Sequence, residues 1–234
     1  MRLLCATMPF ALLAGTAQSE TYPDIPEPMI FDMVRPLGAK RGELEANVLA
    51  QTGSPFRASE TEWAPEVEYA YANGHAVELE LPFDGRRVAA YKLGLQSSLG
   101  ASADGRSAHG VQYLGVYHRE TGRYTNTLLY LAGHRMSERW STMNMIGLDD
   151  IRPDGGEGSN ALLLNHALFY DAKPGTVLGA ELNVAGGAER SVKLSPQVHQ
   201  QVSPSANLQF SIGVEKLREQ RARPTAGLRV VREF

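Results

Sequence analysis

Cysteine is nearly absent from this 234-residue chain, which carries one, Cys5. Disulfides, thiol catalysis and a cysteine-ligated metal are therefore excluded once the first residues are set aside. Long apolar runs are missing as well: no window approaches the roughly eighteen uninterrupted apolar residues that mark a membrane-spanning helix. Basic charge is scarce, with 23 Lys+Arg against 26 Asp+Glu and a net charge of −3. That balance argues against a nucleic-acid partner, which needs a basic patch. No G-x-S-x-G, P-loop or dinucleotide fingerprint is present. The histidines, His75, His109, His118, His134, His166 and His199, form no HExxH or comparable ligand spacing. No cofactor and no metal are implied.

What is present begins with an export signal. MRLLCATMPFALLAGTA has one positive charge at Arg2, a short apolar run and small residues at Gly15 and Ala17. It reads as a secretory signal peptide over residues 1–17, cleaved after Ala17. Cys5 lies too early in it to be a lipid-attachment cysteine. Without it, 22 basic residues face 26 acidic ones over one domain of about 217 residues. Residues 18–42 carry Pro23, Pro26, Pro28, Pro36, Gly38 and Gly42, an extended leader that is either a periplasmic tail or a plug.

From Glu62 to Leu81 the chain reads EWAPEVEYAYANGHAVELEL. Glu66, Glu68, Glu78 and Glu80 share one face, and Val67, Tyr69, Val77, Leu79 and Leu81 the other, a period of two that specifies strands. A two-residue Asn73-Gly74 turn would put Tyr69 opposite Glu78 and mix the faces. A three-residue loop, Ala72-Asn73-Gly74 with Gly74 left-handed, pairs Glu68 with Glu78 and Glu66 with Glu80. Like charges opposite one another are unfavourable. Pairing the next strand across Asp84-Gly85-Arg86 is expected to bring Lys92 opposite Glu78.

About twelve segments of strand length follow, near what a tilted strand needs to cross a bilayer. They run approximately 43–51, 61–71, 75–83, 87–99, 109–119, 123–133, 138–148, 159–171, 175–185, 190–202, 206–217 and 224–234. In 207–216 Leu208, Phe210, Ile212 and Val214 oppose Gln209, Ser211, Gly213 and Glu215. Segments 109–119, 138–148 and 159–171 do not alternate cleanly. Trp63, Tyr71, Phe83, Tyr117, Tyr124, Trp140, Tyr170 and Phe234 recur near strand ends, the pattern of an interfacial aromatic girdle. The final strand ends on Phe234, like the terminal strand recognised by barrel-assembly machinery.

These features specify an all-β chain: a transmembrane antiparallel β-barrel of about twelve strands over 43–234, with an extended N-terminal leader. Outer-membrane lipid is its surrounding, in the outer membrane of a Gram-negative bacterium. The residues expected to line the lumen are Glu66, Glu68, Glu78, Glu80, Lys92, Glu181, Lys193, His199, Glu215 and Arg229. They form either a packed salt-bridge network, a selectivity-determining ring for a small solute, or a metal or acid/base site. No catalytic residue is assigned.

PEVEYAYANGHAVELELPF resembles a segment of a family of bacterial outer-membrane β-barrel transporters named for the MetA pathway of phenol degradation. SPQVHQQVSPSANLQFSIG has a similar flavour. The resemblance implies a barrel and the passage or binding of a small amphipathic or aromatic solute. Three alternatives stand beside it. One is a closed structural barrel without transport. Another is an outer-membrane lipid hydrolase using Asn165-His166 with Ser159 or Ser141. The third is a soluble periplasmic β-sandwich.

Overall fold

A computed structural model describes residues 21–31, 33–52, 61–153, 160–187 and 190–234. The signal-peptide segment with Cys5, and Ser159, lie outside the described residues.

The described strands form one antiparallel sheet. They are β1 (Leu44–Thr52), β2 (Thr61–Ala72), β3 (His75–Glu80), β4 (Phe83–Asp84), β5 (Arg87–Val88), β6 (Ala90–Ala101) and β7 (Ser107–His118), then β8 (Arg123–Arg135), β9 (Trp140–Asp149), β10 (Ala161–Lys173), β11 (Thr176–Ala185), β12 (Ser191–Ser203), β13 (Ala206–Leu217) and β14 (Arg223–Glu233). β4 and β5 are a short ribbon between β3 and β6. The other 12 strands close a barrel, because β1 pairs with β14 on one side and with β2 on the other. Closure pairs the first strand with the last and so removes the long unpaired edges of an open sheet.

Side-chain parity assigns the two faces of the wall. Leu79 is 63% and Ile212 76% exposed, whereas Glu68, Glu78 and Glu181 are 0% exposed. A soluble sandwich would bury the Leu208–Phe210–Ile212 row between sheets. Here that row faces outward, the arrangement that suits hydrocarbon rather than water.

The first hairpin has the expected register: Glu66 pairs with Glu80, Glu68 with Glu78, and the register shifts between Ala70 and Ala72. Gly74 takes φ 73°, the left-handed conformation that the loop requires. Lys92 differs from expectation. It lies opposite Glu80, and Gly94 is the residue opposite Glu78. Two local causes add one residue each. Asp84 pairs with Arg87, so the turn is Gly85-Arg86 rather than three residues. The Pro82 carbonyl then accepts from both Ala89 N (2.8 Å) and Ala90 N (3.4 Å), a bulge. A two-residue shift keeps parity, so Lys92 still points inward.

The two barrel ends differ. Turns at 73–74, 102–106, 136–139, 174–175 and 204–205 share an end with the start of β1 and the end of β14. The longer connections, including 81–89 and 150–160, share the other. From the turn end the leader enters the barrel. Asp24 O accepts from Arg135 Nε (2.7 Å) near the mouth. The leader climbs to Met29–Phe31 at mid-height beside Glu181, in the middle of β11. It then descends along β7 and β6, where Val34 N donates to Gln112 Oε1 (3.1 Å) and Gly38 N to Ser98 Oγ (2.8 Å). Gly42 N donates to Ala70 O (2.8 Å) just before β1 begins.

The leader carries its own apolar core into the lumen. Ile25, Phe31, Met33, Val34 and Leu37 cluster with Leu114, Leu129, Leu131, Met143, Met145, Ala167 and Phe169 of β7–β10. Those strands are thus apolar on their inner face, which is why 109–119, 138–148 and 159–171 fail to alternate. Gly94 gives the descending limb its room: a Cβ there would meet Val34 Cγ2 at 2.6 Å and Glu78 Cβ at 3.1 Å. Gly94→Val is expected to dislodge this limb, at about 1–3 kcal/mol of overpacking. Added protease should then cut within 33–38 of the detergent-solubilised barrel; a chain as resistant as the parent would refute the packing.

Candidate functional site

The candidate site is the lumen where β1–β3, β6 and β14 face the leader. Alternation places Glu45 and Asn47 of β1, Glu66 and Glu68 of β2, Glu78 and Glu80 of β3, Lys92 of β6 and Arg229 of β14 on the inner face. The leader adds Glu27 and Arg35. Six carboxylates (Glu27, Glu45, Glu66, Glu68, Glu78 and Glu80) therefore meet three cations (Arg35, Lys92 and Arg229).

Arg229 is the hub. Its Nη2 lies 2.9 Å from Glu66 Oε1, 3.3 Å from Glu68 Oε1 and 3.8 Å from Glu45 Oε1; Nη1 lies 3.7 Å from Glu27 Oε2. Nη1 also donates to Pro28 O at 3.3 Å, so the same guanidinium grips the leader backbone. Arg35 pairs with Glu45, with Glu43 at 3.3 Å and with Glu68 at 3.7 Å. Lys92 Nζ lies 3.1 Å from Glu78 Oε1 and also pairs with Glu80. Asn47 Nδ2 bridges Glu45 Oε1 (3.0 Å) and Glu68 Oε1 (2.9 Å). Buried charges persist only when paired and hydrogen-bonded in this way.

Carboxylate oxygens of Glu27, Glu45 and Glu68 lie within 4.8 Å of one another, as do those of Glu66, Glu68 and Glu78. Such triads could hold a cation in principle. Here the guanidinium groups of Arg35 and Arg229 and the Lys92 ammonium already bind these carboxylates.

The remaining predicted lumen residues lie around the same barrel but do not join this cluster. Glu181, fully buried, accepts from three consecutive leader amides, those of Met29, Ile30 and Phe31. Lys193 faces Glu215 across β12–β13 and donates to Gln51 Oε1 at 2.6 Å. Glu215 binds Arg223 at 2.7 Å. His199 is buried, with its ring 5.8 Å from the Phe169 ring, edge-on. Sequence reasoning missed Glu27 and Arg35, because nothing local shows that the leader turns inward. Glu45 and Asn47 were within reach, since both share the parity of Leu49 and Gln51 in β1.

Above the leader the lumen opens into a cavity of ≈ 600 Å³. Met29, Phe31 and Met33 form its floor, and Leu49, Val116, Glu66, Glu80, Lys92 and Arg229 contribute to its walls. Trp63 and Phe83 also border it, stacked with ring centroids 4.1 Å apart, where the β4–β5 ribbon folds onto β2. The cavity joins an apolar floor to charged walls at the end with the long loops. The hydrolase pairing with Ser141 does not form: Ser141 is buried on the inner face of β9, while His166 is exposed on the outer face of β10.

A family model described as HAEPLYID-like matches residues 24–99, from the leader into β6. No curated protein matches the chain. Among solved structures, the NanC porin aligns at 8% identity with TM-score 0.63, covering 82% of this chain and 100% of the porin. The KdgM porin in complex with disordered oligogalacturonate aligns at 9% identity and TM-score 0.61, covering 82% and 99%. An outer-membrane channel from Pseudomonas putida F1 aligns at 15% identity and TM-score 0.61, covering 87% and 100%. At these identities the likeness is one of fold, and the fold is that of outer-membrane channel barrels.

Proposed function

We propose that this chain is an outer-membrane barrel that takes a small solute from outside into the cavity above the leader, with passage controlled by the leader. The observation that carries this reading is the ≈ 600 Å³ cavity, lined by residues at the long-connection end of the barrel and floored by leader residues Met29, Phe31 and Met33. In outer-membrane barrels the short turns face the periplasm and the longer loops face outward. That orientation puts the start of β1 and the end of β14 on the periplasmic side, where the exposed Phe234 would be presented to barrel-assembly machinery. Apolar floor and charged wall together suit an amphipathic solute. The transporter family to which PEVEYAYANGHAVELELPF is similar fits the same reading.

A second reading, the sealed structural barrel, draws support from the burial of the leader and from its ion pairs to the wall through Glu27 and Arg35. Planar-bilayer recording of the full chain beside a chain lacking residues 21–40 separates the two. Gated passage predicts low, intermittent conductance in the full chain and a sustained open level, at least tenfold higher in mean current, without the leader. If the leader-deleted barrel folds and still conducts nothing, passage is refuted.

A further inference from the structure

The outer face of β9 and β10 breaks the apolar pattern. On the outer face of β9 and β10, His166 Nδ1 lies 2.7 Å from Asn144 Oδ1 and 3.4 Å from Thr142 Oγ1. An amide oxygen can only accept, so Nδ1 carries the proton, and in the neutral ring Nε2 is then an acceptor. Nε2 has no hydrogen-bond partner among the described residues. Asn144 Nδ2 makes only long contacts, 3.3 Å to Ala132 O and 3.5 Å to Thr142 Oγ1. The pair sits in a groove of ≈ 410 Å³ on the outside of the wall, where Ala132 is small and Tyr130, Ile146, Leu164 and Leu182 stand around it.

Depth makes this arrangement costly in a monomer. Trp140 and Tyr170 face each other across β9–β10, ring centroids 4.8 Å apart, where a girdle marks the interface. Asn144 and His166 lie four residues farther along their strands. With strand rise and barrel tilt that is roughly 10 Å into an apolar band about 25 Å tall. Acyl chains offer neither donor nor acceptor, so polar groups at that depth call for a protein partner. By contrast, the outer rows of β12–β14 are apolar at this depth: Val192, Leu194, Phe210, Ile212, Leu228 and Val230 cover them without such a pair.

We infer that the β8–β11 face is the contact between two copies of this chain in the membrane. A second copy is the occupant that matches. Every copy inserts in one orientation, so a two-fold axis along the membrane normal brings His166 and Asn144 of each barrel to the same depth. The surface is self-complementary: Asn144 Nδ2 of one copy can donate to His166 Nε2 of the other, and reciprocally. Ala132 lets the walls approach closely, as small residues do at membrane interfaces. This inference is independent of the solute reading above.

Oxidative cross-linking of the full chain in liposomes tests it, in a Cys5→Ser background. Leu164→Cys, within the groove, is expected to give a disulfide-linked dimer; Phe210→Cys, on the wall away from it, is not. Adding His166→Leu and Asn144→Leu to the Leu164→Cys chain should cut the dimer fraction at least tenfold. The heat-dependent gel shift of a folded barrel should remain. Absence of dimer at Leu164→Cys, equal dimer at Phe210→Cys, or a dimer indifferent to the two leucines would each overturn the inference. Native mass spectrometry showing a monomer with a retained lipid would do so as well.

Discussion

Arg229→Ala is expected to destabilise the barrel by about 3–5 kcal/mol, the usual consequence of removing one partner from a buried ionic cluster. The guanidinium lies among Glu27, Glu45, Glu66 and Glu68, and among the described residues it alone forms ion pairs with all four. Alanine would leave those carboxylates facing one another, with Arg35 bound to Glu43, Glu45 and Glu68 and Lys92 bound to Glu78 and Glu80. The measurement is the urea midpoint of the barrel refolded in lipid vesicles, read from the heat-dependent gel shift. Glu68→Gln in the same chain should recover part of the loss, because it removes one of the stranded charges. Two groups in one network do not behave additively. Strict additivity of the two substitutions would show that Arg229 does not serve as the shared counter-charge.

Glu181→Ala is expected to release the leader while leaving the wall intact. One carboxylate accepts from the amides of Met29, Ile30 and Phe31, and it sits on β11, across the lumen from the Arg229 cluster. Its loss strands three buried N–H groups, a penalty of about 3–6 kcal/mol borne by the leader rather than by the strand ladder. Periplasmic-side protease should then cleave within the leader, and mean conductance in planar bilayers should rise toward that of the leader-deleted chain. Glu181→Gln keeps one acceptor oxygen and should fall between. A Glu181→Ala chain with unchanged protease resistance and conductance would mean that the leader is held by its apolar contacts alone.

The two substitutions divide what was readable in the chain from what was not. The β2–β3 hairpin declared its register because its two faces differ so sharply that one offset alone keeps glutamate with glutamate. The same alternation marked Glu181, Lys193, Glu215 and Arg229 as inward before any pairing was known. Lys92 was placed on the correct face but one pair away, since a bulge at Pro82 and a two-residue turn are each a matter of a single residue. Strands β7, β9 and β10 resisted reading for a different cause. Met143, Met145, Ala167 and Phe169 face the leader's Ile25, Phe31 and Met33 instead of water, while Thr142, Asn144 and His166 face outward.

Period-two patterning by itself determined two-faced strands and which side chains share a face, because alternation is a property of each strand and needs no partner to be seen; that the oily face is the outside was settled by closure of β1 onto β14. Tertiary structure alone decided what fills the inside. Whether the leader hangs free or folds back depends on contacts between Glu27, Arg35 and residues up to about two hundred positions away, such as Arg229. No local pattern encodes a meeting at that separation. It exists only once closure of β1 onto β14 has brought the acidic strands and Arg229 around a common space.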